Sequence, residues 1–237
     1  MDLLKRSLAC LGLSLTSEQL EDFHLYYQEL VIWNQRFNLT RIIEYREVQT
    51  RHFLDSLSAR LVLPEEFKSQ GRIIDVGAGA GFPGLPLKIA CPDMNLTMVE
   101  SVRKKSAFLN HLISALRLSK IRVCADRAEN LAHDQLHRET YDVVLARGVA
   151  PLRSLAELTI PFCHIGGILI AYKGTHLQEE IHEALPALTT LGGEIVEEKR
   201  VNINGLKNYR TLIAIRKVRP TPPQYPRRSG MPRKRPL

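Results

Sequence analysis

The residues best suited to ligand chemistry lie in the stretch RIIDVGAGAGFPGLP, residues 72–86. A short apolar run there is followed by four glycines: Gly77, Gly79, Gly81 and Gly84. Glycine adopts backbone conformations closed to other residues and lets the main chain approach a ligand closely. The stretch therefore predicts a strand, a tight turn and a ligand-binding loop.

These glycines can be aligned with known motifs in two registers, and each register predicts a different ligand. Counted from Gly79, the spacing fits the G-x-G-x-x-G pattern of dinucleotide-binding loops. The strand should end near Val76, however, so this register begins three residues too late. A register that begins at Gly77 puts Phe82 where a glycine is required. A pyrophosphate cradle is therefore disfavoured.

An acid in the strand followed by alternating glycines is the pattern that fits. It runs from Asp75 through Gly77 and Gly79 to Gly81, and it resembles the first motif of Rossmann-like methyltransferases that use S-adenosylmethionine. In such proteins the loop backbone approaches the methionine part and the adenosine. A tight turn with a purely structural role is the alternative.

Acidic residues at the next two strand ends support a nucleoside ligand. Glu100 closes the second strand about 20 residues after the loop, where a carboxylate can accept both ribose hydroxyls. Asp126, Ala128 and Glu129 follow the third strand and are placed beside an adenine. For Glu100 and Asp126 the alternative is a helix-capping role.

These loops need a parallel sheet to bring them together. Seven β-rich runs occur in order: RIIDV, NLTMVE, KIRVCA, YDVVLA, GILIAY, EIVEEKRV and YRTLIAIR. Helical segments such as Lys104–Leu116 alternate with them. The last two strands, separated by NINGLKN, read as an antiparallel hairpin. We expect a Rossmann-like α/β fold, a mostly parallel seven-stranded sheet whose strand carboxyl ends share one edge.

The chain divides by composition into three parts. Residues 1–66 are predicted to form an N-terminal helical cap, and Thr16 with Gln19 makes a capping box at one helix start. Residues 67–217 are assigned to the Rossmann-like methyltransferase domain. Residues 218–237 form a basic tail rich in proline and arginine.

The positive charge is concentrated at the end of the chain. Of 33 Lys and Arg residues, eight lie in residues 216–237, which contain no acid, and the other 25 balance the 25 acidic residues. Six prolines in the same stretch oppose a packed core, so the tail is expected to be extended or disordered by itself. A basic arm on a neutral body favours a polyanionic partner, and a solubilising end is the alternative.

Composition limits the class of protein. With 237 residues, 44% of them hydrophobic, the chain is long enough for one α/β core and an appendage. Neither a membrane-spanning run of about 20 apolar residues nor a signal peptide is evident, so we expect a cytoplasmic protein. Four scattered cysteines suggest buried thiols, with no metal site and no disulfide framework: Cys10, Cys91, Cys124 and Cys163.

Five motifs together resemble one family nearly from end to end. They are FNLT at 37–40, RHFLDSL at 51–57, DVGAGAGFPGLP at 75–86, ARGVAPL at 146–152 and YKG at 172–174. This series is similar to that of the RsmG (GidB) family, as is the ending YPRRSGMPRKRPL. The resemblance implies transfer of a methyl group from S-adenosylmethionine to N7 of a guanine in 16S ribosomal RNA of the small ribosomal subunit.

The same resemblance implies a set of cofactor contacts. These are Gly77, Phe82, Ala128, Glu129 and Arg147. Phe82 replaces the leucine often found at its position, and both side chains are bulky and apolar. We expect a monomer that acts on 16S rRNA or the small subunit without a metal or a membrane.

The motifs that are missing agree with N7 chemistry. The fourth strand leads into LARGVAPL, without the Asp/Asn-Pro-Pro-aromatic motif of amino-directed enzymes or the cysteine of C5-directed ones. Guanine N7 has an in-plane lone pair and no proton, so attack on a sulfonium methyl needs no general base. Arg147 is the catalytic candidate because it can orient the guanine or the cofactor carboxylate, or stabilise developing charge; a surface ion pair is the alternative.

Five further residues have two readings each. His52 and Asp55 suggest an acid/base pair but are more simply expected to hold the helical region against the cofactor domain. Lys104 and Lys105 can meet phosphate or form a solvated face. For Lys173, the YKG context favours RNA contact over solvation.

Two other function classes remain open. A small-molecule methyltransferase would share the cofactor loops but has no evident use for the basic tail. A non-catalytic RNA-binding protein would keep the tail without needing Asp75, the glycines and Glu100 in order.

Overall fold

The N-terminal part of the chain is helical. In a computed structural model, described here for residues 1–65, 71–148, 150–174, 177–202 and 210–237, its helices are α1 (Asp2–Ser7), α2 (Ser17–Phe37), α3 (Tyr45–Glu47) and α4 (Asp55–Leu57). A π-helical stretch, Val48–Leu54, joins α3 to α4, and 3-10 turns lie at Leu8–Leu11 and Ser58–Leu61. The predicted capping box is confirmed, because Thr16 Oγ1 accepts the Gln19 amide and the Gln19 side chain accepts the Thr16 amide.

Seven strands form one sheet in the order β3-β2-β1-β4-β5-β7-β6. Their bounds are β1 Arg72–Val76, β2 Asn95–Val99, β3 Ile121–Cys124, β4 Tyr141–Arg147, β5 Cys163–Lys173, β6 Gly193–Val201 and β7 Arg210–Lys217. Strands β1 to β5 pair in parallel, whereas β7 runs antiparallel to both β5 and β6. The predicted fold class is therefore confirmed. The carboxyl ends of five strands meet at one edge.

Helices connect the strands. They are α5 (Gly84–Ala90), α6 (Arg103–Ala115), α7 (Ala128–Leu131), α8 (Leu152–Thr159) and α9 (Leu177–Leu191), with a 3-10 turn at Ile160–Phe162 and a short α10 (Met231–Lys234). The predicted strands and the predicted helix at Lys104–Leu116 differ from these bounds by a few residues at most. The connection between the last two strands, beyond Asn202, and the boundary predicted after residue 66 lie outside the described residues.

Each face of the sheet has its own hydrophobic core. One core joins the N-terminal helices to α5, α6 and the sheet, and includes Phe23, Leu30 and Phe108. The other lies under α8 and α9 and includes Leu155 and Leu188. Because buried residues of the helical region belong to the first core, that region is packed directly on the sheet.

The C-terminal segment, Val218–Leu237, packs on the surface of the protein, and α10 is its one helix or strand among the described residues. Prolines remove backbone donors, but the carbonyl oxygens remain, and side chains of the body donate to them. Three residues of the C-terminal segment are buried: Thr221, Pro226 and Pro232. Lys217, at the end of β7, is also buried and paired with Glu139 at 2.9 Å.

Candidate active site

A cleft of about 410 Å³ opens at the carboxyl ends of β1 to β4. Pockets of this size hold small-molecule ligands, and this edge is where open α/β sheets bind them. The lining is drawn from four loops, from α8 and from the C-terminal segment: Val76, Gly77, Gly79, Val99, Glu100, Ser101, Val102, Lys105, Asp126, Arg127, Ala128, Glu129, Arg147, Gly148, Leu158, Gly230 and Arg233.

The glycine loop follows β1 and forms the floor of the cleft. Gly77 and Gly79 have φ of 76° and 62°, in the left-handed region where a side chain is strained. The amides of Gly77 and Ala78 donate to the carbonyl oxygen of Val99, at 2.9 and 3.1 Å. On the far side of the loop, the buried Tyr26 hydroxyl donates to the Ala80 carbonyl at 2.6 Å. The loop is thus held from β2 and from α2, with its glycines toward the cleft.

Two carboxylates fix this loop. Asp75 is fully buried, and its Oδ2 accepts the Gly84 amide at 2.8 Å where α5 begins. Its Oδ1 is buried with no hydrogen-bond partner in the described part of the chain. Burial, with a smaller contribution from the charge of Glu100, raises the pKa of Asp75 to about 7. Glu100 accepts the Gly79 amide at 2.9 Å and the Val102 amide at 2.7 Å, and it lines the cleft.

The loop after β3 supplies the acceptors predicted for a nucleoside. Asp126, Ala128 and Glu129 all line the cleft. Asp126 Oδ1 accepts the Arg127 amide at 2.7 Å and the Asn130 side-chain amide at 3.0 Å, but it does not cap α7, whose N-cap is Arg127. Glu129 Oε1 accepts the Gly230 amide at 2.8 Å. Each carboxylate has further lone pairs for a ligand.

Arg147 ends β4 and joins the cleft to the N-terminal helices. Its Nη1 donates to Asp55 Oδ2 at 2.9 Å and to the carbonyl oxygens of Arg51 and His52 at 3.3 and 3.4 Å. Asp55 is fully buried and also receives Arg210, whose Nε lies 2.7 Å from Oδ1. Arg147 therefore shares a buried carboxylate with Arg210 and lies in no surface ion pair.

His52 and Phe82 complete this junction. The two rings stack with centroids 4.3 Å apart, and the Arg147 guanidinium lies over the Phe82 ring at 5.0 Å. Arg147 Nη2, which can only donate, lies 3.3 Å from His52 Nδ1, so the ring proton is on Nε2, 3.0 Å from Thr40 Oγ1. Burial, followed by the charges of Arg147 and Arg51, lowers the pKa of His52 to about 3. His52 and Asp55 thus hold the helical region against the sheet, as expected.

Several predicted site residues lie outside the cleft lining. Asp75 and Gly81 are beneath the loop; a Cβ at Gly81 would meet Leu85 and the Tyr26 hydroxyl, each at 2.5 Å. Phe82 packs between Tyr26 and His52.

For Lys173 the predicted RNA contact is wrong, because its side chain is only 9% exposed. Its Nζ donates to Glu180 at 2.5 Å and to the Ala150 carbonyl at 2.8 Å.

Sequence reasoning missed the contribution of the C-terminal segment to the cleft. Gly230 and Arg233 lie more than 80 residues beyond β4, and proline and arginine content gives no sign of where they pack. Lys105, for which the sequence left phosphate contact and a solvated face both open, lines the cleft, whereas Lys104 is exposed beside it.

The donor set fits S-adenosylmethionine. Gly77 and Gly79 leave backbone open toward the cleft, and a Cβ on Gly79 would have only the Gly77 carbonyl within 4 Å, at 3.8 Å. Glu100, Asp126 and Glu129 offer acceptors for hydroxyl and amino groups. Among the described residues, no set of three or more His, Cys, Asp and Glu side chains is arranged to hold a metal. In the same residues, no helix has the length and apolar character to span a membrane.

Fold and cleft define the class of Rossmann-like S-adenosylmethionine-dependent methyltransferases. The solved structure of an MtNAS mutant in complex with S-adenosylmethionine superposes with a TM-score of 0.56, over 92% of this chain and 77% of that one, at 14% identity, and so shares the fold.

Sequence comparison identifies the family. Residues 19–209 match the family described as rRNA small subunit methyltransferase G. Proteins named ribosomal RNA small subunit methyltransferase G from Roseiflexus castenholzii and Dehalococcoides mccartyi are 48% and 46% identical over 237 residues, all of this chain and all of each relative. This chain belongs to the rRNA small subunit methyltransferase G family. The family resemblance predicted from the motifs is confirmed.

Proposed function

We propose that this chain transfers a methyl group from S-adenosylmethionine to N7 of a guanine in 16S ribosomal RNA. The observation that carries the proposal is the placement of the glycine loop, Glu100 and the Asp126 loop around one cleft in a member of this family. The relatives named above are ribosomal RNA methyltransferases along their whole length, which favours the same substrate class here.

Different residues around the cleft are assigned to different parts of the cofactor. Backbone at Gly77 and Gly79 meets the methionine part and adenosine, Glu100 accepts the ribose hydroxyls, and Asp126 with Ala128 and Glu129 borders the adenine. S-adenosylmethionine supplies the electrophile, a methyl carbon on a positively charged sulfur. Because the protein holds Glu100 and the loop together by the Gly79 hydrogen bond, the pocket for this group is preorganised.

The chemical step requires positioning rather than proton transfer. The N7 lone pair forms the bond to carbon while the carbon–sulfur bond breaks and its electron pair stays on sulfur. A C5-directed mechanism would need a reactive thiolate, but within the described residues no cysteine lines the cleft. Burial raises the pKa of Cys163 to about 12, which keeps that thiol protonated.

Arg147 is the proposed catalytic residue. Both of its terminal nitrogens donate to the protein, whereas its Nε makes no hydrogen bond within the described part of the chain. We assign this donor to orient the guanine, whose O6 is an acceptor beside N7. The methylated base is positively charged, and Asp55, which Arg147 shares with Arg210, offsets part of the charge that would oppose it.

Phosphate contacts are assigned to the rim of the cleft. Lys104 and Lys105 lie in the first turn of α6, at the edge of the cleft, and can pair with the RNA backbone.

A methyl-transfer assay tests the proposal. The purified chain is incubated with methyl-labelled S-adenosylmethionine and either 16S rRNA, intact small subunits or transfer RNA, and the nucleosides are analysed by mass spectrometry. N7-methylguanosine from 16S rRNA or small subunits is the expected product. Arg147→Ala should lower turnover even when it is assayed well below its melting temperature, which loss of the buried Asp55 pair also lowers. Transfer only to small molecules would contradict the RNA substrate. RNA binding without cofactor binding would identify a non-catalytic protein.

A further inference from the structure

The C-terminal segment reaches the cleft that the proposed function assigns to the cofactor. Gly230 and Arg233, in the turn that leads into α10 and in α10 itself, lie among its lining residues. Gly230 contacts the loop where the nucleoside is expected, because its amide donates to Glu129 at 2.8 Å, and Arg233 follows three residues later. The end of the chain thus forms part of the wall of this site.

One anchor of the segment is Arg138. Its Nη2 donates to the carbonyl oxygens of Thr221 and Pro222 at 2.9 and 3.2 Å, and its Nη1 donates to that of Tyr225 at 2.8 Å. Pro226 adds a fourth carbonyl acceptor, 2.8 Å from His133 Nε2. These contacts fix a proline-rich backbone that cannot hold itself by regular hydrogen bonds.

The second anchor is an ion pair close to the cleft. Glu157, fully buried on α8, receives the Arg227 Nε at 2.9 Å, its Nη2 at 2.6 Å and its backbone amide at 2.8 Å. Three residues later the Gly230 amide donates to Glu129, at a φ of 84° that suits glycine. Two contacts therefore hold the final turn in place: the Arg227–Glu157 ion pair before it and the Gly230–Glu129 hydrogen bond within it.

We propose that residues 230–234 are a cofactor-binding element and that Arg233 contacts the nucleoside of S-adenosylmethionine. The inference rests on the proposed function and deepens it, because it assigns part of the cofactor site to the end of the chain. An arginine at this wall can donate to ribose or adenine acceptors and can stack on the adenine ring. Asp126 and Glu129 line the same cleft.

Two substitutions of equal charge test this assignment. Arg233→Ala removes the cleft residue, whereas Arg228→Ala removes an exposed arginine of the same segment that is outside the lining. Binding of S-adenosylmethionine and S-adenosylhomocysteine to each full-length variant is measured by calorimetry, with melting temperatures as a check on folding. We expect Arg233→Ala to bind both ligands about tenfold more weakly, and Arg228→Ala to bind them like wild type.

The outcomes separate this inference from the proposed function. If wild type binds S-adenosylmethionine and Arg233→Ala binds it equally well, the inference alone is overturned. If the two variants lose affinity equally, the effect is general electrostatics and the inference is again wrong. Loss of RNA affinity in Arg233→Ala without loss of cofactor affinity would reassign Arg233 to phosphate. A wild-type chain that binds neither ligand overturns the proposed function itself.

Limited proteolysis gives a second readout that does not depend on a substitution. Trypsin can cut after Arg228, just before the proposed element, and after Arg6 in α1 as a distant control. S-adenosylmethionine should slow cleavage after Arg228 several-fold and leave cleavage after Arg6 unchanged. Equal cleavage after Arg228 with and without the ligand would contradict the contact.

Discussion

Replacing Asp55 by asparagine should loosen the junction between the N-terminal helices and the sheet. The carboxylate is fully buried and receives two guanidinium groups, from Arg147 on β4 and Arg210 on β7. The distances are 2.9 Å to Arg147 Nη1, and 2.7 and 3.0 Å to Arg210 Nε and Nη2. The amide has nearly the same shape but no charge, and its NH₂ group cannot accept from either arginine.

The magnitude follows from the burial of the three groups. Removing one partner of a buried ion pair costs about 3–5 kcal/mol. Because the side chains of Arg147 and Arg210 keep 12% and 26% of their exposure, water compensates part of the loss. We therefore expect a decrease of about 3 kcal/mol in the free energy of unfolding. For a chain of this length that corresponds to a melting temperature lower by about 6–12 °C.

Thermal and urea unfolding of the variant measure this loss, with Asp93→Asn as the matched control. Asp93 is 76% exposed and pairs with Lys120 at 3.3 Å, so the same substitution there should change stability by less than about 0.5 kcal/mol. Arg210→Gln, which leaves Asp55 bonded to Arg147, should fall between the two. If Asp55→Asn loses no more stability than Asp93→Asn, the two-arginine junction does not hold the helical region in place.

Three further predictions concern the loop and its surroundings. Gly79→Val should abolish S-adenosylmethionine binding in calorimetry, because the side chain enters the cleft. The chain should stay folded, because the backbone strain at φ 62° costs only about 1–2 kcal/mol. Unchanged affinity would disprove the assigned register. Burial raises the pKa of Asp75 from 3.8 to about 7, so its contribution to stability is complete below pH 4 and is lost as the pH rises through 7. Asp75→Asn should remove this pH-dependent component from the free energy of unfolding measured between pH 4 and 8. An unaltered pH profile would contradict the raised pKa. The His52 imidazole, with its pKa lowered to about 3, should show no NMR titration between pH 5 and 8, and a transition near 6.5 would show that the ring is not buried against Arg147.

The sheet and the loops along its edge could be predicted from the sequence because their signals are local. Apolar runs of strand length, the capping box at Thr16 and Gln19, and glycines directly after β1 each occupy one short stretch. In a parallel sheet the topology then brings the strand ends together, so Glu100 and Asp126 could be assigned to one site before their distance was known.

The rest depends on contacts between residues far apart in the chain. Asp55 meets Arg210 across 155 positions, and Gly230 meets Glu129 across 101. Lysine side chains are usually exposed, but Lys173 is covered by Glu180, which lies one helical turn into α9. The C-terminal segment was misjudged for the same reason, because Arg138 and Glu157, which hold it, lie in other elements.

The most direct test of the central claim is mass mapping of 16S rRNA from bacteria that lack this protein and carry either the wild-type chain, the Gly79→Val variant or no replacement. The account predicts one guanine that carries an N7-methyl group with the wild-type chain and is unmodified with the variant and without replacement. Identical 16S modification in all three strains, or a methyl group that depends on the chain but lies on an atom other than N7, would contradict it.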